Sequence, residues 1–195
     1  MNRYFVIHKP FRVLSQFSSK ENKATLKDFF ILPNDVYPVG RLDYDSEGLL
    51  VLTNDHKLNH LLLHPSLSHE REYLVQVDGE IDQAAINLLE SGLEISVDGK
   101  QHRTKPCKAK LIHPPAGFSE RNPPVRFRRN IPTSWISLIL TEGKNRQVRK
   151  MTAKTGFPTL RLIRYRIDKL VLDGLKPGEM MEIDKQDMYT KLSLE

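Results

Sequence analysis

Two apolar runs, Val36-Tyr37-Pro38-Val39 and Leu49-Leu50-Val51-Leu52-Thr53, enclose the hydrophilic segment Gly40-Arg41-Leu42-Asp43-Tyr44-Asp45-Ser46-Glu47-Gly48. Apolar runs of four or five residues bounded by Gly and Pro predict buried strands. With a strand at each end, the intervening three carboxylates and one arginine must form a tight loop. The chain is thereby committed to a sheet, and Asp43 is placed on a rigid base with Arg41 two residues away. Taken alone, the loop has two readings. Asp43 and Asp45 can satisfy their own turn, as Asx residues do, or Asp43 is a carboxylate held out for chemistry.

The remaining pattern predicts many strands with interspersed helices. Strands are expected at residues 4–8, 70–78, 93–97, 106–112, 134–141, 160–167 and 180–183, with Asp98-Gly99 as a hairpin turn. Thr25 is expected to cap a short helix carrying Leu26, Phe29 and Phe30, and Asn54-Asp55 to start one running to about residue 64. Asp82 is expected to cap a helix through residue 90, and Asn145 one through about residue 155 that Gly156 ends. There is no strict βαβ rhythm, so the class is α+β. No repeat, low-complexity tract or linker divides the 195 residues, which are read as a single domain over 1–195, with room for two subdomains sharing a sheet.

Charge is unevenly distributed. The chain carries a net +6, yet residues 121–154 hold nine basic side chains against the single acid Glu142, so the rest is slightly acidic. Such a concentration is the footprint of a polyanion, most simply a phosphate backbone. It falls partly on an irregular stretch, residues 113–132, containing Pro114-Pro115, Gly117, Pro123-Pro124 and Arg126-Phe127-Arg128-Arg129. Ordered loops of that length tend to be functional. On the following helix, Arg146, Arg149, Lys150 and Lys154 share a side, with Lys144 just before them.

His56, His60 and His64 are one turn apart, a spacing that can place imidazoles on one zinc ion. No acidic third ligand accompanies them and Cys107 stands alone, so no metal site is expected. The lone cysteine rules out an internal disulfide and points to a reducing compartment, the cytoplasm. No apolar run approaches the roughly 20 residues of a membrane helix. With no apolar stripe left over for an interface, a monomer is expected.

Several blocks together resemble one family. Gly40-Arg41-Leu42-Asp43 with Ser46-Glu47-Gly48-Leu49-Leu50 resembles the signature loop of the RsuA-like branch of the pseudouridine synthases. Glu142 to Met151, Gly156-Phe157-Pro158 and Leu162-Ile163-Arg164 are similar to its later motifs, and Arg71-Glu72-Tyr73 to its tyrosine motif, with arginine where lysine is usual. The blocks fall in family order along essentially the whole chain. The resemblance implies a pseudouridine synthase fold: a mixed, mostly antiparallel sheet with flanking helices and a central RNA-binding cleft. Here it would lack the S4 domain that usually leads the branch. It implies isomerisation of uridine in large-subunit (23S) ribosomal RNA without cofactor or metal. Asp43 would be the essential carboxylate, Arg149 would keep it ionised, and Tyr73 would stack on the base and take the C5 proton. Leu162 and Arg41 would line the pocket, and Arg126, Arg128, Arg129, Lys144, Arg146 and Lys150 would hold RNA. The competing reading is a non-catalytic rRNA-binding assembly factor using the same basic surface, which has no use for Asp43.

Overall fold

A computed structural model describes residues 1–126, 128–172 and 174–194, so Phe127 of the basic loop lies outside the described residues. In chain order the first elements are β1 (Tyr4–Lys9), β2 (Tyr37–Pro38), β3 (Glu47–Thr53), α1 (His56–Leu63), β4 (Arg71–Asp78) and α2 (Gln83–Ser91). Then come β5 (Glu94–Val97), β6 (Lys100–Arg103), β7 (Lys108–Ile112), β8 (Thr133–Leu140) and α3 (Gln147–Lys154). The last are β9 (Thr159–Ile167), β10 (Leu170–Val171), β11 (Met180–Ile183) and α4 (Lys185–Lys191). The chain forms two compact units, one of residues 1–69 with 163–195 and one of Glu70–Leu162.

In the first unit the strand order is β11-β1-β3-β9, with β2 on β3 and β10 on β9. β1 runs antiparallel to both neighbours, whereas β3 pairs with β9 in parallel through Glu47↔Ile163 and Gly48↔Arg164. Every residue of β1 and β3 is buried. Their near-continuous apolar sequences therefore belong to strands covered on both faces. Phe5, Ile7, Val13, Leu26, Leu42 and Leu50 pack together in this core. Asp55 caps α1, accepting from the amides of Lys57 and Leu58, while its other oxygen accepts from Tyr4 Oη at 2.7 Å and Tyr189 Oη at 2.8 Å. Burial works to raise this carboxyl, but the four bonds hold it below the usual range.

In the second unit β4 and β8 pair antiparallel from Arg71↔Leu140 to Asp78↔Thr133, and β7 pairs with β8 on the other side. β5 and β6 form the hairpin expected at Asp98-Gly99. Val75, Val77, Ile136 and Leu138 pack with Ile86 and Leu89 of α2 and Val148 and Met151 of α3. Asp82 caps α2 by accepting from Ala85 N, and Gly92 follows its last turn. The pairings named here are antiparallel apart from β3 with β9, and among the described residues four α-helices accompany them, an α+β fold with a mixed sheet as the sequence predicts.

Four local expectations need correction. The helix after Thr25 is a single 3₁₀ turn, Leu26–Asp28, closed when Thr25 N–H and Oγ–H both donate to Asp28 Oδ2. His64 is where α1 stops, with ψ 121°, so the three histidines do not share one helix. α3 begins at Gln147 behind Arg146, which adopts the left-handed conformation with φ 51°, and Asn145 is not its cap. α4, capped by Asp184, was not anticipated: it has seven residues and only Met188 is buried among them, too little periodicity to stand out.

Candidate active site

The loop carrying Asp43 is fixed from within the first unit. Gly40 enters it with φ 72° and Gly48 leaves it with φ 111°, conformations that favour glycine. Within the loop Ser46 N donates to Asp43 O at 3.0 Å, a backbone turn whose closing bond does not involve the Asp43 carboxylate. Leu42 points into the core while Asp43, Tyr44 and Asp45 are half-buried and Arg41 is exposed.

Residues 9–15 brace this loop from the side. Ser15 Oγ donates to Leu42 O at 2.8 Å and accepts from Leu42 N at 3.0 Å. Arg12 N donates to Tyr44 O at 2.8 Å. The backbone is thus tied on both sides of Asp43. Behind the brace, Lys9 is fully buried, its Nζ donating to Pro10 O at 2.8 Å and Val13 O at 2.7 Å. Burial pushes this ammonium from the ordinary 10.5 down to about 7, against the opposing attraction of Glu47, Asp45 and Asp43. Neither Lys9 nor Ser15 was singled out by the sequence. Lys9-Pro10 reads in the sequence only as the end of the first strand, because proline cannot donate to a ladder, and no local pattern marks a serine whose partner lies 27 residues away.

The shifted lysine makes a prediction about pH. A folded-state pKa of about 7 against 10.5 unfolded means that, between these values, the unfolded chain binds more protons. Lys9 therefore makes stability rise with pH across that window, level off above it, and sit at a constant penalty below pH 7. Lys9→Met should flatten that rise, read as the denaturant midpoint measured from pH 7 to 10. An unchanged slope would show that Lys9 does not titrate there.

In the second unit Tyr73 lies on β4 opposite Leu138 of β8, half-buried against the core cluster that contains Leu162, Val148 and Met151. Leu162, at 5% exposure, is an ordinary core residue in its contacts. Arg149 is half-buried on α3, between Val148 and Met151 in sequence, and its Nη1 lies 3.5 Å from Thr159 O. The turn before α3 is organised by Glu142. Its carboxylate accepts from Lys105 N at 2.9 Å, Gln147 Nε2 at 2.7 Å and His102 Nε2 at 3.2 Å. Burial tends to raise Glu142, but these donors outweigh it and hold the carboxyl below its usual range. Gln147 also accepts from Lys144 N, closing the turn. The signal for Glu142 was present in the sequence as the one acid in a basic segment.

The structure therefore groups Tyr73, Leu162 and the α3 face in one unit and places Asp43 and Arg41 in the other. Lys144 and Arg146 are exposed at the α3 entrance and Lys150 is half-buried. Arg126, Arg128 and Arg129 are exposed on the loop before β8, Arg128 being paired with Asp78 at 2.8 Å. Among the described residues no three His, Cys, Asp or Glu side chains are grouped to hold a metal ion.

The family model described as RNA pseudouridylate synthase matches residues 3–154. The chain belongs to this family. Among RNA pseudouridylate synthases, it is 46% identical over 181 residues to a Vibrio parahaemolyticus protein named ribosomal large subunit pseudouridine synthase E, covering 93% of this chain and 74% of that one. A protein of the same name from Xanthomonas axonopodis pv. citri is 46% identical over 174 residues, 88% of this chain and 89% of its own. A solved structure titled crystal structure of pseudouridylate synthase superposes with a TM-score of 0.78 at 27% identity, covering 98% of this chain and 74% of that one.

Proposed function

We propose that this pseudouridine synthase isomerises a specific uridine of large-subunit ribosomal RNA to pseudouridine, with Asp43 as the essential carboxylate. The observation that carries this is a signature-motif aspartate on a loop tied down on both flanks, in a chain of the RNA pseudouridylate synthase family. The names of its relatives support the choice of RNA. The reaction breaks the bond from C1′ to N1 and makes one from C1′ to C5; C5 loses a proton and N1 gains one, so nothing is added or removed overall. An ionised carboxylate serves either as nucleophile at the sugar or as base toward a sugar proton, and both roles fall to Asp43.

A uridine inside folded RNA must be unstacked first, at about a few kcal/mol. Tyr73 is assigned to return part of this by stacking, worth roughly 1–3 kcal/mol, and to accept the C5 proton. Arg149 is assigned to favour the ionised carboxylate, and Leu162 and Arg41 to the pocket. Arg126, Arg128, Arg129, Lys144, Arg146 and Lys150 are assigned to the RNA, which a monomer in the cytoplasm would meet. Among the described residues no helix is long and apolar enough to cross a membrane.

The test is incubation with protein-free, unmodified large-subunit rRNA, followed by carbodiimide-blocked primer extension. One new stop establishes the activity and its uridine. Tight, salt-sensitive binding with no stop on naked RNA or assembled particles would favour a binding factor instead. For Tyr73→Phe, release of tritium from C5-labelled uridine should fall by about 10²–10⁴-fold, the usual worth of a positioned base, with RNA binding retained. Tyr73→Leu should also weaken binding, because the stacking face is lost.

A further inference from the structure

The second unit contains a cavity of about 630 Å³ that none of Asp43, Tyr73, Arg149 or Leu162 lines. Five arginines line it, at positions 121, 126, 128, 129 and 161, against two carboxylates, Asp78 and Glu120, with no lysine. Asp78 is already engaged with Arg128. The volume is in the range of sites that hold small organic ligands, roughly 300–1,000 Å³.

Two of the five guanidiniums are built into the wall. Arg121 donates from Nε to Pro123 O at 2.9 Å, from Nη1 to Leu160 O at 3.1 Å and from Nη2 to Pro124 O at 3.2 Å. Arg161, at 6% exposure, donates from Nη1 to Ser119 O at 3.0 Å. These bonds to backbone carbonyls shape the 119–124 loop. Arg126 and Arg129 are exposed, with no ion pair among the described residues. Their planar forks match phosphate geometry bidentately. Val125, Ile131 and Leu160 supply an apolar side to the same cavity. An anion with an apolar body satisfies both halves of that lining, and a nucleotide has this composition.

We propose that this cavity is a subsite for one nucleotide of the substrate RNA other than the uridine that is isomerised, its phosphodiester held by Arg126 and Arg129 over the fixed floor of Arg121 and Arg161. This rests on the proposed rRNA substrate and adds to it where the strand is gripped. The site reads backbone charge, so it fixes register and carries no base identity of its own.

The test measures binding directly, so that its result is independent of turnover. A short fluorescein-labelled oligouridylate is titrated into the full-length protein and into Arg126→Ala/Arg129→Ala at several salt concentrations, with thermal melts to check that the exposed double variant folds. The log–log salt slope should fall by about 0.7 for the phosphate released. A neutral methylphosphonate scanned along the oligonucleotide should weaken wild-type binding roughly tenfold at one linkage and cost the variant nothing there. An equal slope and an equal methylphosphonate penalty in both proteins would overturn the subsite. Competition by inorganic phosphate alone, or by polyglutamate as well as by RNA, would also overturn it, in favour of a small-anion or an acidic-peptide site. Should strand binding behave as expected while no pseudouridine forms, the subsite stands and the proposed reaction fails.

Discussion

Asp43→Asn is expected to lower pseudouridine formation by at least about 10⁴-fold while the protein folds and binds RNA as before. The size follows from the two roles open to the carboxylate. An amide neither attacks C1′ nor accepts a proton there, and loss of a nucleophile or base costs enzymes on the order of 10²–10⁶ in rate. Selectivity for activity follows from how the loop is held. Three bonds that brace it end on backbone atoms, from Ser46 N to Asp43 O, from Ser15 Oγ to Leu42 O and from Arg12 N to Tyr44 O, and asparagine keeps these three. Asparagine also tolerates turn conformations as aspartate does. Single-turnover tritium release, a thermal melt and filter binding together decide the matter. Activity within tenfold of wild type would remove Asp43 from the chemistry, and a collapsed melt would make its role structural.

Gly48→Ala should destabilise the protein by more than about 4 kcal/mol, at the exceptional end of single substitutions. A Cβ at this position would sit 2.3 Å from Arg164 O and 2.7 Å from Arg164 N. Both contacts are with backbone, in the parallel pairing where Gly48 faces Arg164, so no side chain can swing aside. Nor can the β9 backbone readily retreat: Arg164 is itself 5% exposed and its Nε donates to Leu49 O at 2.8 Å. The φ of 111° adds strain for any residue with a side chain. For a chain of this size, such a loss lowers the melting temperature by on the order of 10 °C. Gly143→Ala is the control. Nothing lies within 4 Å of its added Cβ, and its melt should move by no more than about 0.5 kcal/mol. Equal melts for the two variants would mean that the β3–β9 approach is looser than the structure has it.

Much of the fold was local and therefore legible. Runs such as Glu47–Thr53 announce strands buried on both faces, because apolar residues in unbroken succession leave no side for water. Asp55 and Asp82 announce helix starts, since a capping carboxylate needs only the amides two or three residues on. The loop around Asp43 was bracketed by its strands, and Glu142 stood out as the one acid among bases. Where local signals competed, they failed. Asn145 looked like a cap, but the side chain that closes the turn into α3 is Gln147, through Glu142 and Lys144 N.

What remained was decided by partners distant in the chain. Lys9 becomes a neutralisable core cation only because β11 and β3 flank β1 and the 10–13 turn supplies two carbonyls. Ser15 matters because folding brings Leu42 to it, and Gly48 because β9 passes within van der Waals reach of its Cα. The arginines of residues 121–161 were visible as a charge excess, but their division into wall and open groups depends on which carbonyls the folded loop presents. Sequence alone determined most of the strands, the starts of α1 and α2, the family motifs and the sign of the charge on residues 121–154, since each is set by neighbours along the chain. Tertiary structure alone decided which polar groups are buried, how the 40–48 loop is braced and where backbone approaches backbone, because burial and close contact exist only between segments that folding brings together.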